Sequence, residues 1–167
     1  MAVLNKLLEQ RAYTDTHTGL PNKSACEELL NNKETVAEPT ACIMFDLNNL
    51  KIINDTKGHL MGDQLILNFA RLLRNVIPQK DFVGRYGGDE FMVVIYNTSK
   101  TEIEDILKQL SREKDRLNSS GNNMPIDYAC GWAISDADSE CTIQMLLDKA
   151  DYYMYENKQA YKKSKKS

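Results

Sequence analysis

Three acidic positions in this chain suggest chemistry. Asp46 closes an apolar run, Thr40–Leu47 (TACIMFDL), while Asp89 and Glu90 follow two glycines, Gly87 and Gly88, between two strand-like runs. A carboxylate at the tip of a core strand is costly unless something offsets its charge. Adjacent carboxylates repel each other unless a cation lies between them. Taken singly, Asp46 also suits a helix cap or a surface ion pair, and Gly-Gly-Asp also suits an ordinary hairpin turn. With run 40–47 beside the hairpin, Asp46, Asp89 and Glu90 would converge as hard oxygen ligands. Such a cluster suits Mg²⁺, which usually keeps room for substrate phosphates and water. Phosphoryl or nucleotidyl transfer is the chemistry this implies.

The segment Asn48–Asp63 (NNLKIINDTKGHLMGD) adds groups of a second kind. Lys51, just past the strand tip, is placed to reach a phosphate as a point charge. Asn54 and Asp63 suit the edge of a base, since a carboxylate accepts from N–H donors such as those of guanine. Each also suits a cap or a solvated helix surface, and His59 after Gly58 suits a cap or a packed ring. Gly87 and Gly88 permit positive φ and close approach of another group to the backbone. The chain has no GxxxxGK[ST] loop, no GxGxxG turn and no Ser/His/Asp or Cys/His pairing that stands out.

The elements that must position these groups follow from periodicity. Residues 1–13 read as the end of a helix that continues from something upstream or packs on a partner, with Val3, Leu4, Leu7 and Leu8 on one face. Thr14–Asn22 is turn chemistry, and Asn22 caps a helix through Leu30. Strands are expected at Thr40–Leu47, Phe82–Arg85, Glu90–Tyr96 and Ile126–Ile134, with a hairpin turn at Tyr86–Asp89. Helices are expected from about His59 to Val76, from the cap Ser99 to about Leu117, and from the cap Thr142 onward. SSGNNMP reads as a loop, and the basic end, YKKSKKS, as a frayed tail. The order predicts an α+β fold, a mostly antiparallel sheet flanked by helices.

Composition sets the frame. The chain has 167 residues, 42% of them hydrophobic, the size of one ordinary domain with a proper core. Its formal net charge of −3 gives no electrostatic case for nucleic acid as a partner. No apolar run approaches the roughly 20 residues of a membrane-spanning helix, so no membrane contact is expected. The N-terminus lacks the pattern of a secretory signal. Cys26, Cys42, Cys130 and Cys141 are widely spaced, without a CxxC pair or nearby His, and read as reduced thiols of a cytoplasmic protein.

Four blocks in order make the chain recognisable. Arg85-Tyr86-Gly87-Gly88-Asp89-Glu90-Phe91 resembles the signature of the GGDEF family, the bacterial diguanylate cyclases. Asp15 to Lys23 (DTHTGLPNK) resembles the family's DxLTGLxNR. Phe45 to Lys51, with Asn54-Asp55, Gly58-His59 and Gly62-Asp63, resembles FDxDxFKxxND…GHxxGD. Ala150-Asp151, Tyr155 and Lys158 resemble the closing ADxAxYxAK helix. The resemblance covers about 14–162 and leaves 1–13 as an upstream signalling helix or linker and 163–167 as a basic tail.

What the resemblance implies is specific. The fold would be palm-like, similar to nucleotide cyclases, with the signature on a β-hairpin. Asp46, the Leu47 carbonyl and Asp89 would hold Mg²⁺ (or Mn²⁺). Asp89 would accept the proton of the attacking 3′-hydroxyl, with Glu90 a supporting acid. Asn54, His59 and Asp63 would bind the guanine nucleotide, Gly87 and Gly88 would border it, and Lys51, Lys158 and Lys162 would contact phosphates. Two domains, each holding one GTP, would meet face to face as a homodimer, condensing two GTP into cyclic di-GMP and two pyrophosphates. A sensor domain upstream would drive that association. The alternative is a silent module that binds GTP or cyclic di-GMP.

Several positions depart from the pattern. Asn48 stands where the family usually has Asp, and Leu50 where it has Phe, which implies altered packing. Ala160-Tyr161-Lys162 replaces the usual Ser-Gly-Arg, so Lys162 keeps a charge without the bidentate fork of Arg. Many members carry an RxxD motif that binds cyclic di-GMP as inhibitor. Here Pro78-Gln79-Lys80-Asp81 replaces it, which predicts no product inhibition through this site.

Overall fold

The structure, a computed structural model, describes residues 1–121 and 124–166. Asn122 and Asn123 of the expected SSGNNMP loop, and Ser167 of the expected tail, lie outside the described residues. In chain order the elements are α1 (Ala2–Tyr13), α2 (Lys23–Asn31), β1 (Ala41–Leu47), α3 (Leu50–Lys57), α4 (His59–Val76), β2 (Phe82–Arg85), β3 (Glu90–Ile95), α5 (Lys100–Ser119), β4 (Tyr128–Ile134) and α6 (Ile143–Lys166). The four strands form one antiparallel sheet in the order β2-β3-β1-β4.

β1 is the central strand, and all seven of its residues are buried. Side chains alternate between the faces of a sheet, so the strand feeds two cores. Ala41, Ile43, Phe45 and Leu47 pack with Leu65, Phe69 and Leu73 of α4 and Ile103 and Leu110 of α5. Phe69 sits edge-on to Phe45 and Phe91 within this layer, with ring centroids 5.7 and 5.0 Å apart. Cys42 and Met44 face the other way, among Cys26 and Leu30 of α2 and Leu146, Ala150 and Met154 of α6. Asp46 follows Met44 by two residues and therefore emerges on the α6 face.

Caps mark the helix starts read from the sequence. The Asn22 side chain accepts from the Ala25 amide at 3.0 Å, and the Ser99 hydroxyl accepts from the Glu102 amide at 3.2 Å. Two features differ from expectation. A separate helix, α3, fills 50–57; its short apolar stripe ends at Gly58, whose φ of 90° breaks the chain into α4. The basic end does not fray: α6 runs on to Lys166, since Ala160-Tyr161 contains no helix-stopping glycine.

α1 buries none of its residues, and Val3, Leu4, Leu7 and Leu8 are all exposed. No helix among the described residues is long and apolar enough to cross a membrane.

Candidate active site

The antiparallel register sets Asp46 of β1 opposite Glu90 of β3, and the Leu47 amide donates to the Asp89 carbonyl at 2.8 Å. The strand tip and the hairpin therefore set the three acids at one end of the sheet, though not as the three-carboxylate ligand cluster that their types suggested. From the α6 side, the Lys158 ammonium donates to Asp46 Oδ2 at 2.6 Å. The other oxygen, Oδ1, is buried with no hydrogen-bond partner in the protein.

The acids influence one another electrostatically. Burial first, then the charge of Asp46, pushes the Asp89 carboxyl above its ordinary range. Burial, followed by the charges of Asp46, Asp89 and Asp151, does the same to Glu90. Each carboxylate disfavours ionisation of its neighbours, as expected for acids gathered without enough cations.

The hairpin turn is held from behind. Tyr86 and Gly87 amides donate to the Glu90 carbonyl at 2.8 and 3.1 Å. The Arg85 guanidinium donates to the Gly88 carbonyl at 2.9 Å and to both oxygens of Asp15, at 3.2 and 3.3 Å. Asp15 also accepts from the amide and hydroxyl of Thr18. Burial raises the Asp15 carboxyl, but Thr18 and Arg85 together outweigh it and hold the acid below its ordinary range. Gly87 and Gly88 are not in the left-handed region, contrary to one reason given for their presence. A Cβ at Gly88 would meet nothing within 4 Å and one at Gly87 only ordinary contacts with Glu90, so no protein group accounts for either glycine.

A cavity of about 560 Å³ opens beside this cluster, lined by residues of the β1 tip, α3, the hairpin and α6. Leu47, Lys51, Asp89, Lys158 and Lys162 line it, as do Tyr161 and Lys165, which the sequence reading missed. Their signal was spacing: 158, 161, 162 and 165 fall on one helical face. Asn48 also borders the cavity, and its amide donates to Asp127 at 3.3 Å. Leu50 lines the cavity as well and packs on the core beneath.

Asn54, His59 and Asp63 lie outside that lining, at the α3–α4 corner. Asn54 covers Gly62 so closely that a Cβ there would lie 1.8 Å from Oδ1. His59 and Asp63 are exposed. The His17 ring nitrogen Nε2 donates to the Asp63 carbonyl at 2.8 Å, an unanticipated tie from the N-terminal turn.

Among the described residues no group of three or more His, Cys, Asp or Glu side chains is arranged to hold a metal ion. The implied set is of another kind, two carboxylates and a main-chain carbonyl. The orphaned Asp46 Oδ1, with the Asp89 carboxylate beside it, offers the hard oxygen donors a small divalent cation prefers. The residues present fit Mg²⁺.

Comparison with known proteins agrees with the geometry. A family model described as "Diguanylate cyclase, GGDEF domain" matches residues 12–164. The chain is 32% identical to the Signaling protein YkoW of Bacillus subtilis over 94% of its own length and 20% of that protein's. It is 30% identical to the Diguanylate cyclase DgcP of Pseudomonas aeruginosa, covering 90% of the chain and 23% of the relative. The Cyclic di-GMP phosphodiesterase PdeB of Shewanella oneidensis matches at 32%, over 89% of the chain and 18% of the relative. The chain thus spans about a fifth of the length of these relatives. Among solved structures, a microbial GGDEF domain described with cyclic di-GMP superposes with a TM-score of 0.77 at 27% identity, covering 92% of this chain and 94% of that one.

Proposed function

The chain belongs to the GGDEF diguanylate cyclase domain family, and from that premise we propose that it condenses two GTP into cyclic di-GMP and two pyrophosphates. The observation that supports this reading is the pairing of Asp46 with Glu90 across the sheet and with Lys158 from α6, next to a lysine-lined cavity whose lining includes Asp89 and Lys158 but not Asp46 or Glu90.

In this reading the triphosphate lies in the cavity, with Lys51, Lys158 and Lys162 positioning it and stabilising charge that develops on transfer. Asp46, Asp89 and the Leu47 carbonyl hold Mg²⁺ (or Mn²⁺), which when bound neutralises phosphate charge and acidifies an attacking hydroxyl. Asp89 accepts the proton of the incoming 3′-hydroxyl. Glu90 supports it from the paired position. Asn54 and Asp63 read the guanine edge, with His59 at the same nucleotide.

One domain holds one GTP, so two domains meet face to face before either bond forms. Association is then the natural point of control. A sensor joined to α1 in a longer, cytoplasmic protein would supply it, consistent with the exposed apolar face of that helix.

A second reading rests on PdeB, a protein named as a phosphodiesterase that carries a matching domain. There the chain would bind GTP or cyclic di-GMP without turnover. Incubating the domain, fused to a dimerising coiled coil, with GTP, Mg²⁺ and competing ATP separates the two. Cyclic di-GMP formed from GTP with ATP excluded supports the cyclase; GTP binding by confirmed dimers without product supports the silent module.

A further inference from the structure

His17 departs from the family pattern, and none of the roles above uses it. It stands where DxLTGLxNR has leucine, so an exposed ring with two nitrogens replaces an aliphatic side chain. The turn that carries it is held tightly. The Gly19 amide donates to the Asp15 carbonyl at 2.8 Å, the Asp15 amide donates to the Leu20 carbonyl at 2.7 Å, and Thr14 bridges Pro21. From the same turn Asp15 reaches the Arg85 guanidinium.

The hydrogen bond from His17 to Asp63 fixes the state of the ring as well as its place. A carbonyl oxygen only accepts, so Nε2 carries the hydrogen, and in the neutral ring Nδ1 is a bare acceptor. Nδ1 has no hydrogen-bond partner among the described residues. The ring is thus anchored to the main chain of the residue whose carboxylate is to read guanine. Asn54 lies against Gly62, one residue before Asp63. The α3–α4 corner therefore gathers an amide, a carboxylate and a ring nitrogen.

Guanine offers the N1 hydrogen and both hydrogens of its 2-amino group as donors along one edge. A carboxylate facing that edge accepts the N1 hydrogen and one amino hydrogen, and leaves the other amino hydrogen without a partner. A donor left unpaired in a contact costs affinity. We propose that His17 is a specificity-determining residue whose Nδ1 accepts this remaining hydrogen, so that Asp63 and His17 together read the 2-amino group of guanine. The inference rests on the reading that Asn54 and Asp63 recognise guanine, and it extends that recognition to a residue the family pattern lacks.

Inosine is the discriminating base, since it keeps the N1 hydrogen and the 6-oxo group and lacks only the 2-amino group. The test is calorimetry on the coiled-coil-fused domain, in mildly alkaline buffer, with non-hydrolysable analogues of GTP, ITP and ATP. The parent binds the GTP analogue best, the ITP analogue less well and the ATP analogue least. His17→Phe keeps a flat ring without nitrogens; it weakens the GTP analogue about fivefold, near the worth of one hydrogen bond, and leaves the ITP analogue unchanged. His17→Leu, which installs the family's residue, does the same. His17→Gln, whose amide offers both a donor and an acceptor, recovers part of the preference. Asp63→Ala weakens both analogues, because the N1 contact is common to them. Equal weakening of the GTP and ITP analogues in His17→Phe would reduce the ring to a strut for α4 and overturn the proposal, as would unchanged binding of the GTP analogue. Equal parent affinities for all three analogues would instead defeat the guanine reading of the corner, and this inference with it.

Discussion

Lys158 and Asp46 stand 112 residues apart in the chain and meet through a 2.6 Å hydrogen bond between the last helix and the tip of the central strand. The pair compensates half of a carboxylate whose other oxygen has no partner. It also fixes the depth of α6 on the sheet, where Gly131 of β4 lets the helix backbone approach; a Cβ there would lie 2.1 Å from the Met154 nitrogen. One buried carboxylate oxygen is therefore left without a partner, an arrangement that costs stability.

Asp89→Asn is expected to stabilise the metal-free domain. Folding raises the Asp89 pKa, so the folded state loses stability as pH climbs from its ordinary value of 3.8 through the folded value, and the full penalty persists above it. At pH 7.5 with chelator, the variant should melt higher than the parent, by a margin that solvent screening of this half-exposed group keeps small. The gain should fade as pH falls toward 4 and reverse with saturating Mg²⁺, which binds the parent more tightly. Thermal melts across pH check this, and a lower melting temperature in chelator at pH 7.5 contradicts it.

Arg85→Lys should loosen the turn that carries Asp89. Arginine alone spans Asp15 and the Gly88 carbonyl with one planar group. Its loss should cost roughly 1.5–3 kcal/mol in denaturant unfolding and should reduce kcat more than it raises KM. Asp15 has a lowered pKa, so its contribution is present above its ordinary 3.8 and lost as pH falls through the folded value; the parent's advantage over the variant should shrink in acid. An unchanged unfolding midpoint would show that the relay is idle.

Gly62→Ala offers a way to move Asn54 without mutating it. The new methyl group would occupy the place of Asn54 Oδ1, so the amide must swing away from the α3–α4 corner. If Asn54 reads guanine, GTP affinity should drop about tenfold, near the value of one hydrogen bond to the base, with the preference over ATP narrowed. Retained affinity and preference would remove Asn54 from base recognition.

Asp81 has structural work that accounts for its presence without the RxxD arginine. Its Oδ1 accepts the Tyr96 amide at 3.0 Å and the Lys80 ammonium at 2.9 Å, and its side chain is fully buried. Calorimetry should find no tight cyclic di-GMP binding that depends on this residue, and Asp81→Asn should lower stability without changing product sensitivity. Tight binding abolished by Asp81→Asn would contradict this.

Sequence carried the acids further than the bases. Asp46 and Asp89 were legible as neighbours because an apolar run ending in an acid and a hairpin bearing another have one natural pairing, antiparallel with both tips at the same end. The four strands and the helix caps Asn22 and Ser99 were legible for the same reason, being local signals that packing did not override. Helix α3 was hidden because eight residues with two or three apolar positions look like a loop until they pack on α4. Lys165 and Tyr161 were hidden because a lysine-rich end reads as solvated tail, and only the cavity shows which face of it turns inward. Gly87 and Gly88 lie in the hairpin turn as expected but without the positive φ read from their identity, since turn type depends on dihedral angles that residue names do not specify.

The central claim is that the acids at the β1 tip and the hairpin perform cyclisation of GTP. The most direct measurement is the yield of cyclic di-GMP and pyrophosphate from the coiled-coil-fused domain and its Asp89→Asn variant, with GTP and Mg²⁺ and with dimerisation confirmed for both. The account predicts product from the parent and at least a hundredfold less, on the order expected for loss of a positioned base, from a variant that still binds GTP. Equal yields from the two, or GTP bound by parent dimers with no product from either, would contradict it.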